Sequence, residues 1–151
     1  MARNFIVKKM KILKIIIFLC IVAPLNSYNF NIDYDKVIHY YKVTATVYNA
    51  EPNQCNDDYL HTADMSYIDL NIVNELRWIA MSRDMVAKFG GGGVFNYGDT
   101  VIVHTTDSTI RGKWVLRDCM NKRFSNRIDF LQCKQTGFYG KWEDISIYEN
   151  Y

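Results

Sequence analysis

The amino-acid sequence predicts a mainly β domain of about six short strands, closed or nearly closed into a barrel, with one or two small helices. Three observations predict it. Short runs of β-branched and aromatic residues recur with period-two alternation, clusters of Gly, Asn, Asp and Pro separate them, and no strand–helix–strand rhythm suited to a parallel open sheet is present.

Each element has its own warrant. Over residues 40–48, Tyr41, Val43, Ala45 and Val47 alternate with Lys42, Thr44 and Thr46, the pattern of a half-buried strand. Residues 49–61 are rich in Asn, Asp and Pro and read as a loop; residues 71–77 fit either a helical turn or an irregular insertion. A short apolar strand at 78–82 precedes 83–89, where Met85, Val86 and Phe89 fall at helical spacing before Gly90-Gly91-Gly92-Gly93 stop it. Those glycines follow the helical run and no Gly-Lys-Ser/Thr comes after them, so they read as a flexible loop and not a phosphate cradle. Tyr97-Gly98-Asp99 turns into a strand at 100–104. Further strands are expected at 110–117, 127–131 and 143–148, with a loop or short helix at 137–141.

The N-terminal segment reads as an export signal over 1–27, followed by a linker or arm over 28–39 and the barrel over 40–151. Arg3, Lys8, Lys9, Lys11 and Lys14 form a basic region, residues 15–23 an apolar stretch, and Pro24-Leu25-Asn26-Ser27 break it. A helix needs roughly 20 apolar residues to cross a bilayer, so cleavage is favoured over anchoring. Phe18 and Leu19 precede Cys20 where a lipidation signal wants small residues. The expected location is the periplasm, cell envelope or exterior, with the membrane touched only through an uncleaved signal or lipidation.

The chain carries 18 Lys and Arg, five of them before residue 28; the remaining 13 face 16 Asp and Glu, a net charge of −3. That balance disfavours nonspecific nucleic-acid binding. Cys55, Cys119 and Cys133 remain after the signal, an odd count that permits one internal disulfide at most, and all three pairings stay open beside three free thiols. His39, His61 and His104 are too scattered for a metal motif, and neither metal nor cofactor is expected.

Asp118 and Asp129 are the residues that point to chemistry. Each sits inside an apolar, strand-like run, where aspartate is depleted, and a polar loop joins the two runs. If the runs were adjacent strands, both carboxylates would reach one end of a sheet.

An ordered set of segments extends the argument: Val43-Thr44-Ala45-Thr46-Val47-Tyr48; Thr62-Ala63-Asp64; Ile79-Ala80-Met81-Ser82-Arg83-Asp84; Gly98-Asp99-Thr100-Val101-Ile102-Val103; Asp118 with Met120-Asn121-Lys122-Arg123-Phe124-Ser125-Asn126-Arg127-Ile128-Asp129; and Ile145-Ser146-Ile147-Tyr148. In this order they resemble the three-aspartate domain of bacterial cell-wall proteins, related to the catalytic barrel of membrane-bound lytic transglycosylase A. The chain has Asp64 where that family usually has Ser or Gly, and Asn121, Lys122, Arg123, Ser125 and Asn126 where the transglycosylase relatives have a glycine-rich loop. The resemblance implies a six-stranded double-psi β-barrel, with Asp84, Asp118 and Asp129 as the three aspartates and Asp129 at the position of the catalytic acid.

It also implies a reaction: cleavage of the β-1,4 bond between N-acetylmuramic acid and N-acetylglucosamine in peptidoglycan glycan strands, leaving a 1,6-anhydro end. One carboxyl group serves twice there, as acid and then as base, unlike the glycosidase pair that engages water or forms a covalent intermediate. Asp129, between Ile128 and Phe130, has desolvation and a neighbouring carboxylate available to raise its pKa. Asp118 would stabilise the oxocarbenium-like state or orient Asp129, Asp84 would brace the barrel or the site, and Thr62 would donate a hydrogen bond to the site or serve as an ordinary turn residue. Arg127 is expected on the opposite strand face from Asp129. Lys122 and Arg123, with Asn121 and Asn126, are candidates to meet substrate, Lys122 and Arg123 through its carboxylates. Tyr48, Trp114, Tyr139 and Trp142 are candidates for sugar stacking or core packing. Two other functions stay in view: a non-catalytic glycan-binding barrel, and a thiol hydrolase using Cys119 with His61 or His104, which the adjacent Asp118 disfavours.

Overall fold

The computed structural model describes residues 38–55 and 57–150. The expected signal and most of the arm after it lie outside the described residues. Six strands form: β1 (Tyr41–Tyr48), β2 (Trp78–Met81), β3 (Thr100–His104), β4 (Gly112–Cys119), β5 (Arg127–Leu131) and β6 (Trp142–Glu149). They close into a mixed barrel in the order β1-β5-β2-β4-β3-β6, with β1·β5 and β2·β4 parallel and the other pairs antiparallel. This is the closed six-stranded barrel expected from the sequence.

Alternation explains why it closes. Each strand sends two residues into one core: Val43 and Ala45, Ile79 and Met81, Val101 and Val103, Trp114 and Leu116, Ile128 and Phe130, Ile145 and Ile147. Trp114 is the largest of these, packed with its ring centroid 4.4 Å from that of Phe130, and its indole N–H donates to the Ile110 carbonyl at 2.7 Å. A second apolar cluster lies on the outward face of β1, β2 and β5. There Tyr48, Ala80 and Leu131 pack with Ala50, Ile68, Val73 and Met120. The long β1–β2 connection supplies Ala50, Ile68 and Val73, and so covers that side of the wall.

Helix is nearly absent among the described residues. Residues 83–89 were expected to be helical, but 83–85 form a non-helical turn and only Ala87–Phe89 are helical, as a single 3-10 turn. The apolar spacing of Met85 and Val86 serves another purpose. Both are buried in the barrel core, and the Val94 and Phe95 N–H groups donate to the Met85 carbonyl while the Ala87 N–H donates to Phe95, which ties the segment to a returning chain. Gly93 makes that return possible: a Cβ there would lie 2.6 Å from the Met85 carbonyl carbon. Residues 71–77 and 137–141 likewise contain no helix.

Strand bounds at 100–104 and 127–131 match the expectation. β4 begins two residues later and ends two later than expected. Its start is set by Gly112, at φ +110°, after the Arg111 N–H has closed a turn onto the Asp107 carbonyl. Its extension follows from a bulge described next.

Candidate active site

The strands carrying Asp118 and Asp129 are not neighbours, because β2 lies between β4 and β5. Ala80 of β2 pairs with Asp118 on one side and Asp129 on the other, and Asp129 in turn pairs with Thr46 of β1. Residues in register on neighbouring strands share a face, so Asp118, Ala80, Asp129 and Thr46 form one row across four strands. Ala80 is the small spacer between the carboxylates.

Simple counting would send Asp118 inward behind Trp114 and Leu116. A register shift prevents it: Ile79 pairs with Leu116 while Ala80 pairs with Asp118, leaving Arg117 as the extra residue of a β-bulge. The bulge re-aims the Asp118 side chain to the outward face. That face is an open cleft of about 520 Å³, lined by Tyr48, Tyr59, His61, Arg83, Asn121 and Phe124 among others, with Asp118 and Asp129 in its wall.

The two carboxylates differ in their partners. Asp118 accepts from the Ala63 N–H (3.0 Å), its neighbour Cys119 N–H (2.8 Å) and the Tyr48 hydroxyl (3.2 Å). Burial raises its pKa and these donors oppose the rise; the net direction is upward. Asp129 accepts from the Thr46 hydroxyl. Burial pushes its pKa to about 6, partly offset by the Arg127 charge and reinforced by Asp118. Arg127, expected on the opposite face, stands two residues from Asp129 on β5, so the two flank the inward Ile128 and share the outward face; it acts on Asp129 without cancelling the effect of burial, and its guanidinium lies 5.1 Å from the Phe124 ring.

A turn at Thr62 presents the Ala63 N–H. The buried Thr62 hydroxyl donates to the Asp64 carboxylate at 2.7 Å and accepts from the Ser66 N–H at 3.2 Å, so it is engaged inside its own turn. Burial acts to raise the Asp64 pKa, but Thr62, Ser66 and Arg117 together hold it below the ordinary value. Arg117 Nη1 meets Asp64 at 3.0 Å. The bulged residue thus clamps the turn that supports Asp118.

Other expected residues are dispersed. Asp84 is exposed, outside the cleft lining, and accepts the Asn126 N–H at 3.0 Å, at a residue with φ +49°. Its place is at the end of the loop, as is that of Asn126. Asn121 and Arg123 line the cleft; Lys122, on the same loop, does not. Tyr48 also lines it, mostly buried, with its phenol on Asp118 and its pKa raised well above the ordinary value, chiefly by burial. Trp114 is in the core, Trp142 packs on Phe130 and donates to Asp107 at 2.7 Å, and Tyr139 donates to Asn49 and Lys134; none of the three lines the cleft. Cys119 and His61 do line it, whereas His104 lies exposed at the end of β3. Cys55, Cys119 and Cys133 are free thiols.

Thr46, Ala80, Ala63 and Arg83 were not singled out from the sequence as site residues. Only Thr46 left a local signal, since it alternates outward with Tyr48. Fully buried Ser82 was also missed: its hydroxyl accepts the Arg127 N–H at 3.0 Å and fixes the start of β5. Among the described residues, no group of three or more His, Cys, Asp or Glu is placed to hold a metal ion. The class defined by this geometry is a closed six-stranded mixed barrel bearing an outward carboxylate pair in an open cleft. No family model and no curated protein matches the chain.

Proposed function

We propose that this chain is an exported lytic transglycosylase of the three-aspartate-domain type, acting on peptidoglycan glycan strands. The observation that carries the reading is the Asp118–Ala80–Asp129 row in an open cleft, with Asp129 held near half-protonation at about pH 6. Protonated Asp129 gives its proton to the glycosidic oxygen, and the bond from that oxygen to the muramoyl C1 breaks. Asp118, whose three donors favour its ionised form, faces the cationic C1 centre. Asp129, now a carboxylate, takes the C6 hydroxyl proton as that oxygen closes onto C1. The proton is back on Asp129, and no water is consumed.

The test is a product. Incubation of the purified protein with peptidoglycan is expected to release 1,6-anhydromuramoyl fragments detectable by mass spectrometry, and Asp129→Asn to release none. A correctly folded parent protein that yields no such fragment sinks the proposal.

A second reading is a barrel that holds glycan without cutting it. It draws on the Asp118 contacts, which equally suit a carboxylate tying the Thr62 turn to β4. Sedimentation with insoluble peptidoglycan, unchanged in Asp129→Asn and without cleavage by the parent, would favour it.

A further inference from the structure

Two guanidinium groups in the cleft lining have no acidic partner. Arg117 is committed to Asp64, but among the described residues neither Arg83 nor Arg123 is ion-paired. Each rests on an aromatic ring: Arg83 lies 4.9 Å from the Phe89 centroid and Arg123 lies 4.8 Å from that of Phe124. Stacking restrains a guanidinium while leaving its in-plane N–H fork free for a planar anion. Both side chains come from different segments, Arg83 just after β2 and Arg123 from the β4–β5 loop, so the cleft brings them to one lining.

Asp118 and Asp129 lie in the wall of the same cleft and accept their hydrogen bonds from Tyr48, Ala63, Cys119 and Thr46, with neither Arg83 nor Arg123 among the donors. A substrate carboxylate beside Asp118 would meet a like charge, whereas one on Arg83 and Arg123 would meet two cations without acidic partners, so the arginines suit a charged substituent of the substrate and not the bond being broken.

We infer that Arg83 and Arg123 are specificity-determining residues that select a carboxylate-bearing glycan over a neutral one. The inference rests on reading the cleft as a glycan site. In peptidoglycan the carboxylate has two sources, the lactyl group of a stem-free muramoyl residue and the terminus of a peptide stem; the recognising chemistry is the same.

Binding can be measured without cleavage by using the chain carrying Asp129→Asn. Calorimetric titration would compare a neutral N-acetylglucosamine oligomer, a stem-free alternating oligosaccharide with its lactyl carboxylate, and a stem-bearing one. One of the two acidic ligands is expected to bind roughly tenfold tighter than the neutral one, a preference that shrinks with added salt. Which acidic ligand wins identifies the source. Arg83→Gln or Arg123→Gln added to that chain should abolish the preference, while Arg111→Gln, outside the cleft, should retain it. Equal affinity for all three glycans, or a preference untouched by both cleft substitutions, overturns the inference. If equal affinity accompanies anhydro product from the parent protein, this inference alone fails; loss of both binding and product removes the reading beneath it as well.

Discussion

Asp118 and Asp129 share a row and not an environment, and the difference supports the separate roles proposed for them. Asp118 accepts two backbone N–H groups and a phenol, whereas the named partner of Asp129 is one hydroxyl. Burial therefore prevails more fully at Asp129, whose pKa rises from 3.8 to about 6. The folded state then keeps a proton that the unfolded chain releases. Its stabilising effect is complete below about pH 4 and is lost as pH rises through about 6, an effect on the order of 3 kcal/mol. Asp129→Asn, neutral at every pH, should melt above the parent at pH 8 and converge with it near pH 4, while losing cleavage at both. Thermal denaturation across that range checks the prediction; a parallel offset at all pH values would contradict it. Cleavage by the parent should decline above about pH 6, because the first step needs the protonated acid. Both aspartates were legible in the sequence because carboxylates are out of place in apolar strands. The donors on them were not, since the Ala63 N–H arrives from 55 residues away.

At the scale of elements, β2 decides the site although it is only four residues long. It separates β4 from β5, and its Ala80 sets the gap between the carboxylates. Valine suits a strand, but its added methyl groups would press on both acids and on the second apolar cluster. Ala80→Val is expected to lower stability by about 1–3 kcal/mol and to lose cleavage with the barrel retained. Circular dichroism with the product assay would check this, and full activity in Ala80→Val would show that the gap is not limiting. Alternation made β1 and β6 readable, and apolar or β-branched runs between turn signals made the other four so, β3 and β5 to the residue. Neither signal revealed the bulge at Arg117, because a register shift depends on the partner strand and leaves the local pattern unchanged. The spacing of Met85, Val86 and Phe89 misled for a related reason: Phe95, across the glycine loop, supplies the contacts that a helix would have made within itself.

For the molecule as a whole, the barrel and its covering connection have separate cores. The wall is closed by ladders on every strand, whereas the β1–β2 connection is held largely by the outer cluster, with Ile68 fully buried in it. Ile68→Ala should cost about 2–4 kcal/mol, and the loss should be local. Hydrogen exchange would then show faster opening at the Ile68 N–H to Leu60 bond and at Ala63, with β3 and β6 still protected. Uniform loss of protection would mean that the two cores unfold together. The closed wall also has a temporal consequence. Its row draws on positions 46, 80, 118 and 129, and the last of these arrives on β5, the strand that joins β1 to β2. Synthesis runs from the N-terminus, so a nascent chain has no assembled row until residue 131 has left the ribosome and β5 has found its place. The row is thus among the last features that synthesis can complete, and the wall follows it only when β6, Trp142–Glu149, closes the gap between β1 and β3.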